Sequence, residues 1–369
     1  MMNILHVVGA RPNFMKAAPV VAALARVPGA TQVLVHTGQH YDANMSEVFF
    51  RQLGLPEPDI NLGVGSGSHA EQTARVMLAL EPVLTAHRPD LLMVYGDINS
   101  TVAAALVAAK LGIPVAHVEA GLRSFDRTMP EELNRLVTDQ LADLLFTPSA
   151  DGDANLAREG IPPARIHLVG NVMIDTLVRL LPQAAPPAGL ALASPYALVT
   201  LHRPSNVDDA AALRALIAAL ISLSRELQIV FPIHPRTRQR LASWQIDLLA
   251  GDRFLLLDPA GYLEFLALQR DALVVITDSG GIQEEAPSFG VPAVVMRDHT
   301  ERQEGVAAGF AMLAGCDPDA IVAAAAGWLD APARRQALAA RPNPYGDGRA
   351  AQRIAATLLG HPVTPFSPG

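Results

Sequence analysis

Short apolar runs rich in Val, Ile and Leu alternate with longer Ala- and Leu-rich stretches along this chain. The runs are continuously apolar, which is typical of parallel strands buried on both faces. Helical patterns lie between them, so the series is β–α–β–α and predicts a doubly wound parallel sheet. In the first half we predict strands at Ile4–Val8, Gln32–His36, Leu91–Tyr95, Val115–Val118, Leu144–Thr147 and Ile166–Val169, and helices at Phe14–Ala25, Ala70–Ala86, Thr101–Leu111 and Glu131–Leu141.

A second series of the same kind follows the segment Pro182–Pro195, whose Pro- and Ala-rich sequence is typical of a linker. Here we predict strands at Ala197–Leu201, Ile229–Ile233, Phe254–Leu257, Leu273–Thr277 and Ala293–Met296, and helices at Ala210–Leu223, Leu263–Leu268, Gln283–Ser288 and Asp319–Leu329. A chain of 369 residues is too long for one ordinary core. We therefore expect two Rossmann-like α/β domains, residues 1–181 and 196–345, joined by the linker 182–195. A last helix, residues 349–360, could cross back to the first domain.

Composition narrows the classes of function. The net charge is −8 and no Lys/Arg cluster stands out, which argues against nucleic acid as a partner. A single cysteine, Cys316, excludes a disulfide framework and a cysteine metal site. The first residues lack a basic stretch before their short apolar run, so we expect no signal peptide, no membrane span and a cytoplasmic location. The first βα turn has no G-x-G-x-x-G, and the glycines at 63–68 follow no predicted strand, so we expect no redox dinucleotide. We expect no metal cofactor either.

Polar residues follow the predicted strands of the first half, at the carboxyl edge where open parallel sheets bind ligands. Gly9-Ala10-Arg11-Pro12 follows the first strand and leads into a helix that carries Lys16. Gln39 and His40 follow the second strand, and Gly96-Asp97 and Glu119 follow later ones. With Glu131 and Glu132 at the start of the next helix, this half mainly supplies carboxylates, which suit proton transfer.

The corresponding positions of the second half supply groups that bind anions. His202 and Arg203 follow one strand, His234 follows another, and Ser279-Gly280-Gly281 follows a third and opens a helix. The free backbone N–H groups of such a turn can hold a phosphate, and glycine lets the oxygens approach closely. Glu284 and Glu285, one turn later, cannot bind phosphate; a carboxylate there suits a ribose diol.

Each of these residues also has a purely structural interpretation. Asp97 could cap the helix that follows it, and Glu119 could belong to a buried ion pair. A lone His after a strand is more often a hydrogen-bonded loop residue, and the two glutamates could simply favour the first helical turn. His6 and His36 lie within strands, and we interpret both as structural. The concentration of polar residues at the same edge of both predicted sheets favours a functional site.

With these residues identified, the chain resembles the non-hydrolysing UDP-N-acetylglucosamine 2-epimerase family over essentially its whole length. The motifs that carry the resemblance are Gly9-Ala10-Arg11-Pro12 with Lys16, Gly38-Gln39-His40, Gly96-Asp97, His117-Val118-Glu119-Ala120-Gly121-Leu122-Arg123, Pro130-Glu131-Glu132-Leu133-Asn134-Arg135, Asp278-Ser279-Gly280-Gly281-Ile282-Gln283-Glu284-Glu285, Thr300-Glu301-Arg302 and Asn343-Pro344-Tyr345-Gly346-Asp347-Gly348. Only together are they specific. The family implies the GT-B architecture of two facing Rossmann-like domains, an active site in the inter-domain cleft, a last helix that returns to the first domain, and homodimers.

The resemblance also implies roles for individual residues. Arg11, His202, Ser279 and Gly280 would hold the diphosphate and Glu285 the ribose, while Lys16, Asp97, Glu119, Glu131 and Arg135 would line the sugar side. The expected catalytic set is Asp97, Glu119, Glu131 and His202, and the expected substrate-binding set is Arg11, Lys16, Gln39, His40, Arg135, His234, Ser279, Gly280, Gly281, Glu285 and Arg302. One motif departs from the family, which often has His-Arg-Arg-Glu-Asn where this chain has His202-Arg203-Pro204-Ser205-Asn206.

The implied reaction interconverts UDP-GlcNAc and UDP-ManNAc for surface polysaccharide synthesis. UDP is eliminated to give 2-acetamidoglucal, and it then adds back with protonation on the opposite face. The hydrogen at C2 is not next to a carbonyl, so direct deprotonation is prohibitive. Four alternatives remain open at this point: a 2-epimerase of UDP-2,3-diacetamido-2,3-dideoxy-glucuronic acid, a hydrolysing 2-epimerase, a GT-B glycosyltransferase and a non-catalytic UDP-sugar sensor.

Overall fold

The computed structural model describes residues 2–38, 50, 52–193, 195–248 and 253–367. The chain divides into two compact units, which are treated separately below. Among the described residues, the first unit extends to Arg179 and includes Gly346–Ser367, and the second comprises Leu180–Tyr345. Within the described ranges, no helix is both long enough and apolar enough to span a membrane.

The first unit is built on a seven-stranded parallel sheet of order β3-β2-β1-β4-β5-β6-β7. The strands are β1 Met2–Val8, β2 Ala30–His36, β3 Ile60–Asn61, β4 Leu91–Tyr95, β5 Val115–Val118, β6 Leu144–Thr147 and β7 Ile166–Leu168. The helices between them are α1 Arg11–Leu24, α2 His69–His87, α3 Asn99–Lys110, α4 Pro130–Leu141, α5 Ala150–Arg158 and α6 Val172–Leu180. The central strands β4 and β5 are buried, as their largely apolar sequences predict, with His117 as the polar exception in β5.

The second unit carries a six-stranded parallel sheet of order β10-β9-β8-β11-β12-β13. Its strands are β8 Tyr196–Thr200, β9 Gln228–Pro232, β10 Phe254–Leu257, β11 Val274–Thr277, β12 Ala293–Val295 and β13 Ala311–Leu313. Its helices are α7 Pro204–Val207, α8 Ala210–Leu223, α9 Pro235–Ser243, α10 Tyr262–Arg270, α11 Gly280–Glu285, α12 Gln303–Ala307, α13 Pro318–Leu329 and α14 Pro332–Ala339. The two parallel sheets with intervening helices confirm the predicted α/β fold class.

The last helix, α15 Ala350–Leu358, belongs to the first unit, where it packs on α1. The backbone N–H groups of Ala350 and Ala351 donate to the two carboxylate oxygens of Asp175, at 3.1 and 2.8 Å. Burial raises the pKa of Asp175 to about 6, although these two hydrogen bonds oppose the shift. The predicted linker 182–195 begins with a short 3-10 turn at Leu181–Gln183, and the structure groups this segment with the second unit.

Each strand order reverses direction once, between β1 and β4 in the first sheet and between β8 and β11 in the second. At such a switch point the loops from two neighbouring strands run to opposite sides and leave a crevice at the carboxyl edge. The loops that leave these strands begin at Gly9 and Gly96 in the first unit and at Leu201 and Asp278 in the second. They carry many of the polar residues that the sequence predicts as functional.

Candidate active site

The switch point of the first unit is built around two glycines and one asparagine. Asn13 Oδ1 accepts a hydrogen bond from Gly9 N at 3.1 Å, and its Nδ2 donates to Tyr95 O at 2.8 Å, so the side chain ties the ends of β1 and β4 together. A Cβ at Gly9 would lie 2.6 Å from the hydroxyl oxygens of both Thr37 and Ser100, which explains the need for glycine there.

An ion pair crosses this edge between Lys16 on α1 and Glu119 after β5. Lys16 Nζ lies 2.7 Å from Glu119 Oε1, and the two side chains are only 11% and 13% exposed. Gly96 lies against the same ammonium, since a Cβ at this glycine would be 2.8 Å from Lys16 Nζ. The structure therefore brings Lys16 and Glu119 together beside the backbone that leads to Asp97.

Glu119 has a left-handed backbone conformation, with φ of 74°, that residues other than glycine rarely adopt. Such a conformation costs on the order of 1 kcal/mol or more and persists only where surrounding contacts fix it. Here the N–H groups of Glu119 and Ala120 both donate to Phe146 O, at 3.0 and 3.1 Å. The backbone is thus held in a strained form at a residue predicted to be catalytic.

Asp97 is paired with Arg135, which also binds a second carboxylate. Arg135 Nη1 lies 2.7 Å from Asp97 Oδ2, and its Nη2 lies 2.8 Å from Glu132 Oε2. Glu132 is buried and also accepts hydrogen bonds from Ser124 and Phe125. Burial alone would raise the pKa of Glu132, but these amides and Arg135 hold it below its usual value. The carboxylate of Glu132 is therefore engaged in structural hydrogen bonds, and Arg135 binds both Glu132 and Asp97.

Glu131 differs from its neighbour in sequence. It lies in the first turn of α4 and is partly exposed, and its side chain makes no hydrogen bond or ion pair with any residue that the structure describes. The first unit thus presents Asp97 and Glu119, each held by a cation, together with Glu131, which has no such partner within the described part of the chain. Arg11 is the exposed first residue of α1. Gln39 and His40 lie outside the described residues.

At the switch point of the second unit, a buried carboxylate orients a histidine. His202 Nδ1 lies 2.8 Å from Asp278 Oδ1, and the other oxygen of Asp278 accepts from the N–H groups of His202 and Arg203, at 2.9 and 2.8 Å. Burial alone would raise the pKa of Asp278, but His202 and the backbone amides hold it below its usual range. The His202 side chain remains 37% exposed, so its Nε2 can approach a ligand.

His234 lies beside His202 and caps helix α9. The two ring centroids are 5.6 Å apart, and His234 Nδ1 accepts from Arg236 N at 3.2 Å. Burial, the charge of His202 and that of Arg236 lower the pKa of His234. Because Nδ1 accepts the Arg236 amide, the ring hydrogen is on Nε2, which is therefore a donor.

The turn Ser279-Gly280-Gly281 opens helix α11 at the end of β11. The hydroxyl of Ser279 makes no capping hydrogen bond with the helix. A Cβ built at Gly280 or Gly281 would meet no atom within 4 Å. The first N–H groups of a helix have no partner inside the helix, so this turn offers backbone donors beside open space.

Two carboxylates lie one turn further along the same helix, and Arg302, which directly precedes α12, pairs with one of them. Glu285 is buried, and its Oε1 accepts a hydrogen bond from the Tyr262 hydroxyl at 3.1 Å. Burial raises the pKa of Glu285 to about 7, against the effect of Tyr262. Arg302 forms an ion pair with Glu284, the residue that precedes Glu285. Asn343 Nδ2 donates to Glu284 O at 3.0 Å, so the asparagine side chain is hydrogen-bonded to the backbone of this helix.

Sequence reasoning missed the role of three buried residues. Asp278 appeared only as the start of a turn, and His117 and Asp139 were assigned no role. All three have no exposed side-chain surface and pair with residues distant in sequence. The only available signal for Asp278 was its position directly after a predicted strand, immediately before the phosphate-binding pattern.

Comparison with known proteins places these observations in context. A family model described as UDP-N-acetylglucosamine 2-epimerase matches residues 22–359. The chain is 43% identical to a UDP-2,3-diacetamido-2,3-dideoxy-D-glucuronate 2-epimerase from Pseudomonas aeruginosa, over 97% of this chain and 99% of that protein. It is 40% identical to a UDP-N-acetylglucosamine 2-epimerase from Methanococcus maripaludis, over 96% and 97%. The crystal structure of the Methanocaldococcus jannaschii UDP-GlcNAc 2-epimerase in complex with UDP-GlcNAc and UDP superimposes with a TM-score of 0.82 at 39% identity, covering 97% of this chain and all of that one.

Proposed function

The chain belongs to the UDP-N-acetylglucosamine 2-epimerase family, and we propose that it is a non-hydrolysing isomerase that interconverts UDP-GlcNAc and UDP-ManNAc. The observation that carries the proposal is the division of chemistry between the two switch points. One presents three carboxylates, and the other presents histidines and free backbone amides. Reversible loss of a diphosphate needs both a group that binds the leaving anion and groups that move protons.

In this account the reaction begins with elimination. The bond between C1 and the diphosphate oxygen breaks, its electron pair leaves with UDP, and a carboxylate takes the proton from C2 as the C1–C2 double bond forms. Re-addition of UDP at C1 with protonation of C2 from the opposite face gives the epimer. We assign the proton transfers to Asp97, Glu119 and Glu131, and the binding of the departing diphosphate to His202, oriented by Asp278, and to the turn at Ser279.

The remaining assignments follow the same division. Arg11, Ser279, Gly280 and Gly281 would contact the diphosphate, with His234 as a further donor, and Glu285 would bind the ribose. Lys16 and Arg135 would keep the sugar-side carboxylates in place. Arg302, which pairs with Glu284, would act by holding the helix of Glu285. Gln39 and His40 remain substrate-binding predictions from the sequence.

A second candidate substrate is UDP-2,3-diacetamido-2,3-dideoxy-glucuronic acid. Its epimerase from Pseudomonas aeruginosa is 43% identical to this chain, which is comparable to the 40% of the UDP-GlcNAc enzyme from Methanococcus. A uronate would bring a further negative charge to an edge where Lys16, Arg123 and Arg135 already pair with carboxylates. This charge arrangement supports the uncharged hexosamine. Turnover of the two UDP-sugars by the purified protein tests the choice: a higher kcat/KM for the uronate would reverse it.

The pH dependence of nucleotide-sugar affinity should report on Glu285. An ionised carboxylate accepts hydrogen bonds from both ribose hydroxyls, and protonation removes that capacity. With a pKa of about 7 in the free protein, the ionised form is lost as the pH falls. We therefore expect affinity for an equilibrated UDP-sugar to weaken by roughly tenfold per pH unit well below 7. Protonation of histidines would act in the opposite direction, so calorimetric titrations of the wild type and of Glu285→Gln are compared. If the two pH profiles coincide, Glu285 does not bind the ribose.

We also propose that the chain forms homodimers through an apolar stripe on α4 and the segment just before it. Leu133 and Val137, four residues apart on α4, and Met129, which directly precedes the helix, are each about two-fifths exposed, and Phe125 in the preceding loop is 73% exposed. Residues four apart share one face of a helix, and such contiguous apolar surface marks an interaction site. Leu133→Glu should shift the sedimentation equilibrium towards monomer, while Leu359→Glu, at an exposed leucine of the first unit that lies outside the stripe, should not. Unaltered association of Leu133→Glu would exclude this surface.

We place the enzyme in the cytoplasm, where it would meet its nucleotide-sugar substrate. Its product would supply precursors for surface polysaccharides.

A further inference from the structure

His117 lies near the end of β5 and is completely buried. Each of its ring nitrogens faces a hydrogen-bond acceptor. Nδ1 is 2.6 Å from Asp139 Oδ1, and Nε2 is 2.8 Å from the carbonyl oxygen of Gly96. The ring therefore joins helix α4 to the loop after β4 through both of its nitrogens.

Asp139, on α4, extends this link. Its second oxygen accepts a hydrogen bond from Gly121 N at 3.1 Å and lies 2.7 Å from Arg123 Nη2. Arg123 in turn binds Glu159 with two hydrogen bonds of 2.7 Å. Burial alone would raise the pKa of Asp139, but His117 and Arg123 hold it below its usual value. His117, Asp139 and Arg123 thus form a buried network that ends at the partly exposed Glu159, and loss of Asp139 would leave the buried Arg123 without one of its two carboxylates.

This network touches the backbone that carries each proposed acid but none of the acids themselves. Gly96 directly precedes Asp97, and Gly121 is two residues after Glu119. Asp139 is one turn beyond Arg135 on the helix that begins near Glu131. A single pair, His117 and Asp139, therefore connects the loop after β4, the loop after β5 and α4.

We propose that His117 is a positioning residue that fixes the relative positions of Asp97, Glu119 and Glu131 for proton transfer at C2. The inference rests on the proposed function, since it assigns a task to the same site. Its physical basis is the strain at Glu119. The left-handed backbone there is fixed on one side by Phe146 O and on the other by Gly121, which donates to Asp139 and accepts from Asn155 Nδ2 at 2.9 Å. A displacement of about 1 Å in a reacting group can cost on the order of 10²-fold in rate.

The test compares two fully buried histidines of the same sheet. His117→Gln keeps a donor near Gly96 but loses the contact with Asp139. His6→Gln is the matched control, because His6 on β1 binds the Tyr95 hydroxyl and contacts none of the site residues. We expect kcat to fall on the order of tenfold or more in His117→Gln. KM and UDP affinity should change little, since His202, the Ser279-Gly280-Gly281 turn and Glu285 lie in the other unit and Arg11 makes no contact with His117 or Asp139 among those described. His6→Gln should keep the wild-type kcat even where its melting temperature falls comparably.

Asp139→Asn is the second variant, because it keeps the shape of the side chain, and it should show the same selective loss of kcat. Wild-type kcat in a folded His117→Gln or Asp139→Asn protein would overturn the inference. Equal losses of kcat in His6→Gln and His117→Gln would also overturn it, because the effect would then be general destabilisation. The proposed function is tested separately: if the wild-type protein exchanges no hydrogen at C2, the function itself fails, whereas an active wild type with unaffected variants refutes only the role of His117.

Discussion

Glu119→Gln and Asp97→Asn should each lower kcat on the order of 10²-fold or more, the usual scale for loss of a general acid or base. Both substitutions keep the size of the side chain and remove its capacity to take up a proton. In the structure each acid is held by one cation, Glu119 by Lys16 and Asp97 by Arg135, so each amide would still occupy its place. Because neither residue is assigned to bind the nucleotide, UDP affinity should change little. Steady-state kinetics and calorimetry with UDP measure the two effects independently.

The control for this pair is Glu81→Gln, which removes a carboxylate from an exposed position on α2. It should retain wild-type kcat, and thereby show that a change of net charge alone does not impair turnover. Near-wild-type turnover in both Glu119→Gln and Asp97→Asn would remove these residues from the proton-transfer steps.

Gly280→Val should abolish most UDP binding while leaving the fold intact. A Cβ at Gly280 meets no protein atom within 4 Å, so the larger side chain fits the unliganded unit. In the proposed complex that same space holds a phosphate whose oxygens accept hydrogen bonds from the turn. Hydrogen bonds to a charged group contribute about 1.5–3 kcal/mol each, so losing two of them weakens binding by roughly 10²-fold or more. Calorimetric titration with UDP gives the change directly.

Gly327→Val provides the comparison, because Gly327 lies within helix α13 of the same unit and its Cβ would likewise meet no atom. It should bind UDP as the wild type does, with at most a modest loss of stability from the β-branched side chain. Unchanged UDP affinity in Gly280→Val would place the nucleotide away from the Ser279-Gly280-Gly281 turn.

Much of the fold could be predicted from the sequence, because a strand buried on both faces is apolar at nearly every position. The predicted strands Leu91–Tyr95 and Val115–Val118 have the observed bounds for this reason. Strands β3 and β13 were missed, since Ile60–Asn61 and Ala311–Leu313 are too short to form a pattern and are defined only by pairing with a neighbour. Helix α9 was missed as well: it is rich in arginine, and only Thr237 and Leu241 are buried, so no apolar face marks it.

The sequence identified which residues lie at the site, but not which side chains they would pair with. The rule that ligands bind at carboxyl edges selected the residues after each strand without any coordinates. Which carboxylates are free to act could not be deduced in the same way. Glu131 and Glu132 are adjacent in sequence, yet one is partly exposed and the other is buried under two backbone donors and Arg135. Likewise His117 and Asp139 are 22 residues apart, and only tertiary packing brings them together.

The most direct measurement of the central claim is proton NMR of the purified protein with UDP-GlcNAc in D2O. Elimination and re-addition require the hydrogen at C2 to leave and be replaced from solvent. We therefore expect deuterium at C2 in both UDP-linked epimers, in a reversible mixture without accumulation of free sugar. Release of UDP with free N-acetylmannosamine would indicate a hydrolysing enzyme instead. An intact UDP-sugar that binds but retains its C2 hydrogen would contradict the proposed epimerisation.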